Sequence, residues 1–254
     1  MTKKSAIERD LVFLDIETSG LDPKFHEILE LAAVRTCPKA NTIRNVVECL
    51  TLPVKIHTAE PEALRINGYD GRRWTSEAIP LSMALQGLKD LCGTPNGEGG
   101  VTLVAHSATF DWGFLHKGLR KSGLDLDADN HVICTASMAW PFLMRGEVEK
   151  PKLEALCTFF GVPNDGQHTA MRDVERMMEV YRHIMYRFRT NAYWSQELTK
   201  WSTLRENLRD AAEALVRESP GACQNFVPPL SKALEALEAA ENEVMNDARL
   251  RDLR

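Results

Sequence analysis

The sequence contains no apolar run of the roughly eighteen residues that a bilayer span demands, so no segment reads as a membrane helix. Met1-Thr2-Lys3-Lys4-Ser5 has no apolar stretch behind it, so no secretory signal is legible. There is no CxxC pair. Cys37, Cys49, Cys92, Cys134, Cys157 and Cys223 are scattered, which argues against a zinc or disulfide framework and fits a reducing, cytoplasmic setting. Basic residues hold no majority: the net charge is −5, which argues against a protein that coats nucleic acid without selecting. A site that grips a few nucleotides stays compatible, because bound divalent ions add positive charge that the count ignores. Internal repeats and low-complexity tracts are absent, and past residue 190 the strand signal disappears.

At 254 residues, with 44% hydrophobic and 26% charged side chains, the chain is long enough for one ample core, or a core plus an appendage. The stretch that organises it is Leu11-Val12-Phe13-Leu14-Asp15-Ile16-Glu17-Thr18-Ser19-Gly20. Four apolar residues run into two acids one residue apart. A short unbroken apolar run bounded by turn residues predicts a strand buried on both faces. Side chains alternate along a strand, so Asp15 and Glu17 share one face with Cα atoms about 6.5–7 Å apart. Two anions on one face repel unless a cation lies between them or solvent reaches them, and hard oxygen donors favour Mg²⁺ or Mn²⁺.

The rest of the pattern is α/β. Residues 28–34 and 43–50 predict two further strands in an antiparallel meander. Thr58 predicts the cap of a short helix through Ile66, closed by Asn67-Gly68. A helix follows around 81–91, a loop at 96–100, a strand at 101–105 and a helix from about 110 to 121 stopping at Gly123. A short strand at 132–134 leads to helices at about 136–144 and 152–160, then a long helix from 170 to about 188. Meander first, alternation later, predicts a mixed sheet. Beyond 190, apolar residues at three-, four- and seven-residue spacing predict two helices, about 192–218 and 229–252, joined through Pro220-Gly221 and Pro228-Pro229. Trp194 and Trp201 fall on the first stripe. Acids outnumber bases in this region, so it is no basic nucleic-acid arm. A lone hairpin buries too little to stand by itself, so it is expected to pack on the preceding domain, a second copy or a partner protein.

Two more segments carry acids with a stated chemistry. Asp111 follows the strand at 101–105 where a helix begins, the place where open α/β sheets put their sites, though an acid there also serves the helix dipole. In His168-Thr169-Ala170-Met171-Arg172-Asp173, five residues turn about 140° of helix. His168 and Asp173 therefore cannot share a helix face. If Thr169 caps the helix, His168 lies in the preceding loop and swings over Asp173, a placement suited to a general base. A surface histidine beside a cap is the alternative.

Together, Asp15-Ile16-Glu17-Thr18-Ser19-Gly20-Leu21, His106-Ser107-Ala108-Thr109-Phe110-Asp111 and His168 to Asp173 resemble, in order and spacing, the three motifs of the DEDDh exonucleases of the DnaQ-like superfamily. The resemblance covers about residues 9–188. It implies a ribonuclease H-like α/β fold whose mixed five-stranded sheet is flanked by helices, with residues 1–189 as the exonuclease domain and 190–254 as a helical appendage. It also implies two Mg²⁺ (or Mn²⁺) ions held by Asp15, Glu17, Asp111 and Asp173, with His168 as the general base. Thr18, Leu21, Ser107 and Phe110 match positions that meet the substrate; as a core residue, Phe110 has an equal claim. Ser107, Cys134-Thr135 and Asn67-Gly68-Tyr69 depart from the family's usual Asn, Asp-Thr and His-Gly-Ile. The activity implied is 3′→5′ hydrolysis of single-stranded ends to nucleoside 5′-monophosphates. DNA is favoured because nothing specifies a 2′-hydroxyl contact; RNA trimming, or a silent binding module on the same fold, are the alternatives. Arg65, Arg72 and Arg73, and separately Lys117, Arg120 and Lys121, are small basic groups that either hold phosphates or are solvated helix faces.

Overall fold

A computed structural model describes residues 5–93, 100–166, 168–189 and 210. The chain divides into two compact units, Met1–Ile184 and Met185–Arg254, and the account below concerns the first. The predicted helices at 192–218, residue 210 aside, and 229–252, and most of the loop at 96–100, lie outside the described residues.

The five strands are β1 (Leu11–Thr18), β2 (Ile28–Thr36), β3 (Ile43–Leu50), β4 (Thr102–Ala105) and β5 (Ile133–Cys134). They form one sheet in the order β3-β2-β1-β4-β5. The pairs β1–β2 and β2–β3 are antiparallel, as a meander requires, and β1–β4 and β4–β5 are parallel. The apolar run therefore sits at the centre of the sheet, which is why Val12, Phe13 and Leu14 are buried on both faces.

The helices are α1 (Pro61–Ile66), α2 (Gly71–Glu77), α3 (Leu81–Cys92), α4 (Ala108–Ser122), α5 (Thr135–Met138), α6 (Trp140–Met144), α7 (Leu153–Phe160) and α8, residues 170–189. The two faces of β1 divide the work. Val12, Leu14 and Ile16 enter a core built with Leu85 and Leu88 of α3 and Phe114, Leu115 and Leu119 of α4. The opposite face carries Phe13, Asp15 and Glu17. There Phe13 meets the ring of Tyr181 edge-on at 5.2 Å, and α8 buries Ala170, Val174, Met177 and Met178.

Three expectations need correction. Thr58 does not cap a helix. Its hydroxyl donates to the Lys55 carbonyl in a 3₁₀ turn, and α1 begins at Pro61, whose fixed φ and missing N–H suit the first helical position. The helix α2 was not foreseen; it is capped by Asp70, whose carboxylate accepts from the Arg72 N–H at 2.9 Å. The single helix at 136–144 is two, because Pro141 opens α6 and interrupts the ladder.

Candidate active site

The four acids arrive on three elements. Asp15 and Glu17 lie at the carboxyl end of β1, Asp173 in the first turn of α8, and Asp111 in the first turn of α4. The Thr169 hydroxyl accepts from the Arg172 N–H at 3.3 Å, a capping bond that leaves His168 outside α8. His168 then folds back: its Nδ1 lies 3.1 Å from Asp173 Oδ2.

One oxygen from each of Asp15, Glu17 and Asp173 falls within 4.8 Å of the others. Asp111 stands outside that group but within its field. Burial and then the Asp111 charge, followed by Glu17 and Asp173, push Asp15 well above the usual carboxylate range. Burial, then Asp173, Glu30 and Asp111, push Glu17 up to about 8. Burial raises Asp111 to about 8, and its Oδ2 is buried with no hydrogen-bond partner among the described residues. Crowded carboxylates and an orphan acceptor are what a divalent cation satisfies, and an all-oxygen donor set suits a hard one.

The acids open onto a cleft of about 530 Å³ lined by Asp15, Ile16, Glu17, Arg65, Ile66, Glu154, His168 and Asp173. A roomier cavity of about 670 Å³ beside β3 and α8 contains Arg172 and Arg176 but none of Asp15, Glu17 or His168. The chemistry, not the size, marks the site.

Several neighbours of the acids take roles that no local pattern assigns. Arg176, 7% exposed, donates from Nη1 to Asp173 Oδ1 and from Nη2 to the Asp165 carbonyl, both at 2.8 Å. Arg172 reaches the same carbonyl at 3.2 Å. The loop before His168 is thus pinned by two arginines of α8. Only their i, i+4 spacing was there to be read. Glu30 stands opposite Glu17 on β2; burial raises its carboxyl, and the backbone N–H of Ala170 at the start of α8 acts to lower it. Asn67 Nδ2 donates to the Thr18 carbonyl at 2.8 Å, tying α1 to the end of β1.

The expected substrate positions are placed as follows. Thr18 is buried and its hydroxyl donates to the Gly20 carbonyl at 2.8 Å. Leu21 is 74% exposed in the turn beyond β1. Ser107 is exposed with φ +64°, a left-handed conformation unusual for serine, and its hydroxyl makes no cap bond. Phe110 packs on the core and against Phe114, with ring centroids 5.2 Å apart. His106 is structural: its ring nitrogens lie 2.8 Å from Thr135 Oγ1 and 3.0 Å from the Pro151 carbonyl.

This sheet and this motif order define a known class. The profile of the exonuclease family RNase_T matches residues 12–181, and the chain belongs to that family, within the DnaQ-like 3′–5′ exonucleases. Ribonuclease T of Salmonella typhimurium (strain LT2) is 26% identical over 198 residues, spanning 72% of this chain and 87% of the relative. The PolC-type DNA polymerase III of Bacillus cereus is 29% identical over 168 residues, spanning 66% of this chain and 11% of the polymerase. A zinc-bound Escherichia coli exonuclease I in complex with single-stranded DNA superposes with a TM-score of 0.59 at 18% identity, over 72% of this chain and 43% of that one. The chain thus spans less than half of that solved structure, and the likeness there is one of fold. Exonucleases of this family depend on divalent metal, and Asp15, Glu17 and Asp173 form an acidic cluster. No helix among the described residues is long and apolar enough to cross a membrane.

Proposed function

We propose that the chain removes nucleotides one at a time from the 3′ end of single-stranded nucleic acid and releases nucleoside 5′-monophosphates. The observation that carries this is the convergence of three carboxylates within 4.8 Å, with His168 held on one of them at 3.1 Å. Asp15, Glu17, Asp111 and Asp173 would hold two Mg²⁺ or Mn²⁺ ions. When bound, such ions neutralise the scissile phosphate and stabilise the departing 3′ oxygen.

The protein's own groups supply the rest. A carboxylate accepts hydrogen bonds, so Asp173 Oδ2 assigns the proton of a neutral His168 to Nδ1. Nε2 then keeps its lone pair; the nearest acid, Glu154, is 3.9 Å away, beyond hydrogen-bond range. That nitrogen is free to take the proton of the attacking water. Leu21, exposed in the turn beyond β1, would meet the terminal base, with Thr18 at the end of β1, Ser107 at the start of α4 and Phe110 in its first turn as the further substrate positions.

Both sugars fall within this reading. The ribonuclease T of Salmonella typhimurium, covered over 87% of its length, favours RNA. The exonuclease I complex with single-stranded DNA favours DNA, the sugar preferred from the sequence. Digestion of end-labelled single-stranded DNA and RNA side by side, with Mg²⁺ and with chelator, tests it. Shortening from the 3′ end, stopped by a 3′ block or by chelator, is the expected result. Cleavage of a circular strand, or full activity in chelator, would overturn it.

A further inference from the structure

The basic group Lys117, Arg120 and Lys121 is not used by the chemistry above. The fold enlarges it. On α4, Gly113, Lys117 and Lys121 follow one another at four-residue spacing and so form one row. A Cβ at Gly113 would touch Pro23 at 3.5 Å, so this row lies against the turn that leaves β1. Lys117 Nζ is fixed there: it donates to the carbonyls of Pro23, Lys24 and His26. Lys121 and Lys55 both act on its charge. Lys55 is tied to the same turn, because its backbone N–H donates to Glu27 Oε2 at 2.6 Å. Lys24, Lys55 and Lys121 are exposed, and no acid pairs with their ammonium groups among the described residues.

The acids of this face are already engaged. Asp22 Oδ1 accepts the Lys24 N–H at 2.8 Å, Glu27 accepts from Lys55, and Glu60 lies 3.2 Å from His26 Nε2. Exposed apolar surface is interleaved with the lysines: Leu21 at 74%, Phe25 at 67% and Val54 at 82%. The turn is held rigidly where it leaves the acids. A Cβ at Gly20 would lie 2.5 Å from the His26 ring, the Ser19 N–H donates to the Glu27 carbonyl, and the Glu60 N–H donates to the Ser19 carbonyl.

Free ammonium groups alternating with exposed apolar side chains match a flexible polyanion with stackable faces. We propose that Lys24, Lys55 and Lys121, with Phe25 among them, form a track for the phosphates of the single strand behind its 3′-terminal nucleotides. Lys117 is the positioning residue that fixes the turn carrying the track. The proposal rests on the nuclease reading for the direction in which the strand runs, and not for the binding itself.

The test uses the full chain in chelator, where binding is read without hydrolysis. Anisotropy of 5′-fluorescein oligothymidylate of about 20 nucleotides is compared with that of a labelled trinucleotide across a salt series. Lys55→Gln combined with Lys121→Gln should weaken the long strand about tenfold and leave the trinucleotide unchanged. The slope of log K against log salt should become shallower by about 1.4, two phosphates at about 0.7 each for a single strand. Phe25→Ala should weaken the long strand without changing the slope, as stacking requires. Equal loss on both lengths, or an unchanged slope in the double variant, would show a solvated face and overturn the track. If wild-type protein with Mg²⁺ hydrolyses neither strand, the nuclease reading fails while the binding comparison still decides the track.

Discussion

Glu17→Gln should stabilise the protein in chelator. Glu17 sits opposite Glu30 in the sheet and near Asp173 and Asp111, and burial with these charges raises it from 4.5 to about 8. The folded value lies above the unfolded one, so the folded chain holds an extra proton between them. The native state is therefore penalised progressively as pH rises from about 4.5 to about 8. At pH 7 the full penalty is about 3 kcal/mol. Glu17 keeps some solvent contact, which screens the charges and cuts this to about 1–2 kcal/mol. Glutamine has no proton to manage. Its melting temperature in chelator should exceed wild type by about 3–6 °C at pH 7, with a smaller gain at pH 5 and a larger one at pH 8. Differential scanning calorimetry at the three pH values reads this directly. Saturating Mg²⁺ should erase or reverse the gain, because the carboxylate is then a ligand. A gain independent of pH, or a lower melting temperature in chelator, would refute the argument that uncompensated charge governs this cluster.

The other predictions follow from single contacts. His168→Ala should lower turnover about 10²–10⁴-fold with little change in strand binding, read by single-turnover hydrolysis beside anisotropy. Arg176→Met should cost about 3 kcal/mol in denaturant unfolding, because it leaves the Asp173 carboxylate without its buried partner, and should lower turnover by freeing the loop that carries His168. Gly166→Ala should cut turnover more than stability: its φ of +94° disfavours any side chain, and a Cβ there would lie 1.9 Å from Arg172 Nη1, forcing away one of the two arginines that pin the loop. Asn67→Ala should cost about 1–2 kcal/mol by orphaning the buried Thr18 carbonyl, measured in the same unfolding assay.

The sequence by itself determined the strands and the antiparallel meander that opens the sheet. A chain whose apolar residues run unbroken from Leu11 to Leu14 has to bury that strand on both faces, and alternation then puts Asp15 and Glu17 on one side whatever surrounds them. Thr169 as a cap was legible for the same kind of reason, since a helix start is chosen by a few neighbouring atoms, and it sent His168 back over Asp173. The boundaries that failed, at Thr58, at α2 and at Pro141, are short elements in which one capping or imino residue outweighs periodicity. Tertiary structure alone decided the rest. Only the fold brings the α8 acid to the β1 acids, sets Glu30 near the first N–H of α8, and closes Arg176 on Asp173 and Asp165 together. Those contacts link residues far apart in sequence, and their strength comes from removal of water, which no local pattern encodes. The raised carboxylates are the same effect: Glu17 is an ordinary acid in the chain and becomes an unusual one only when burial and three other carboxylates surround it.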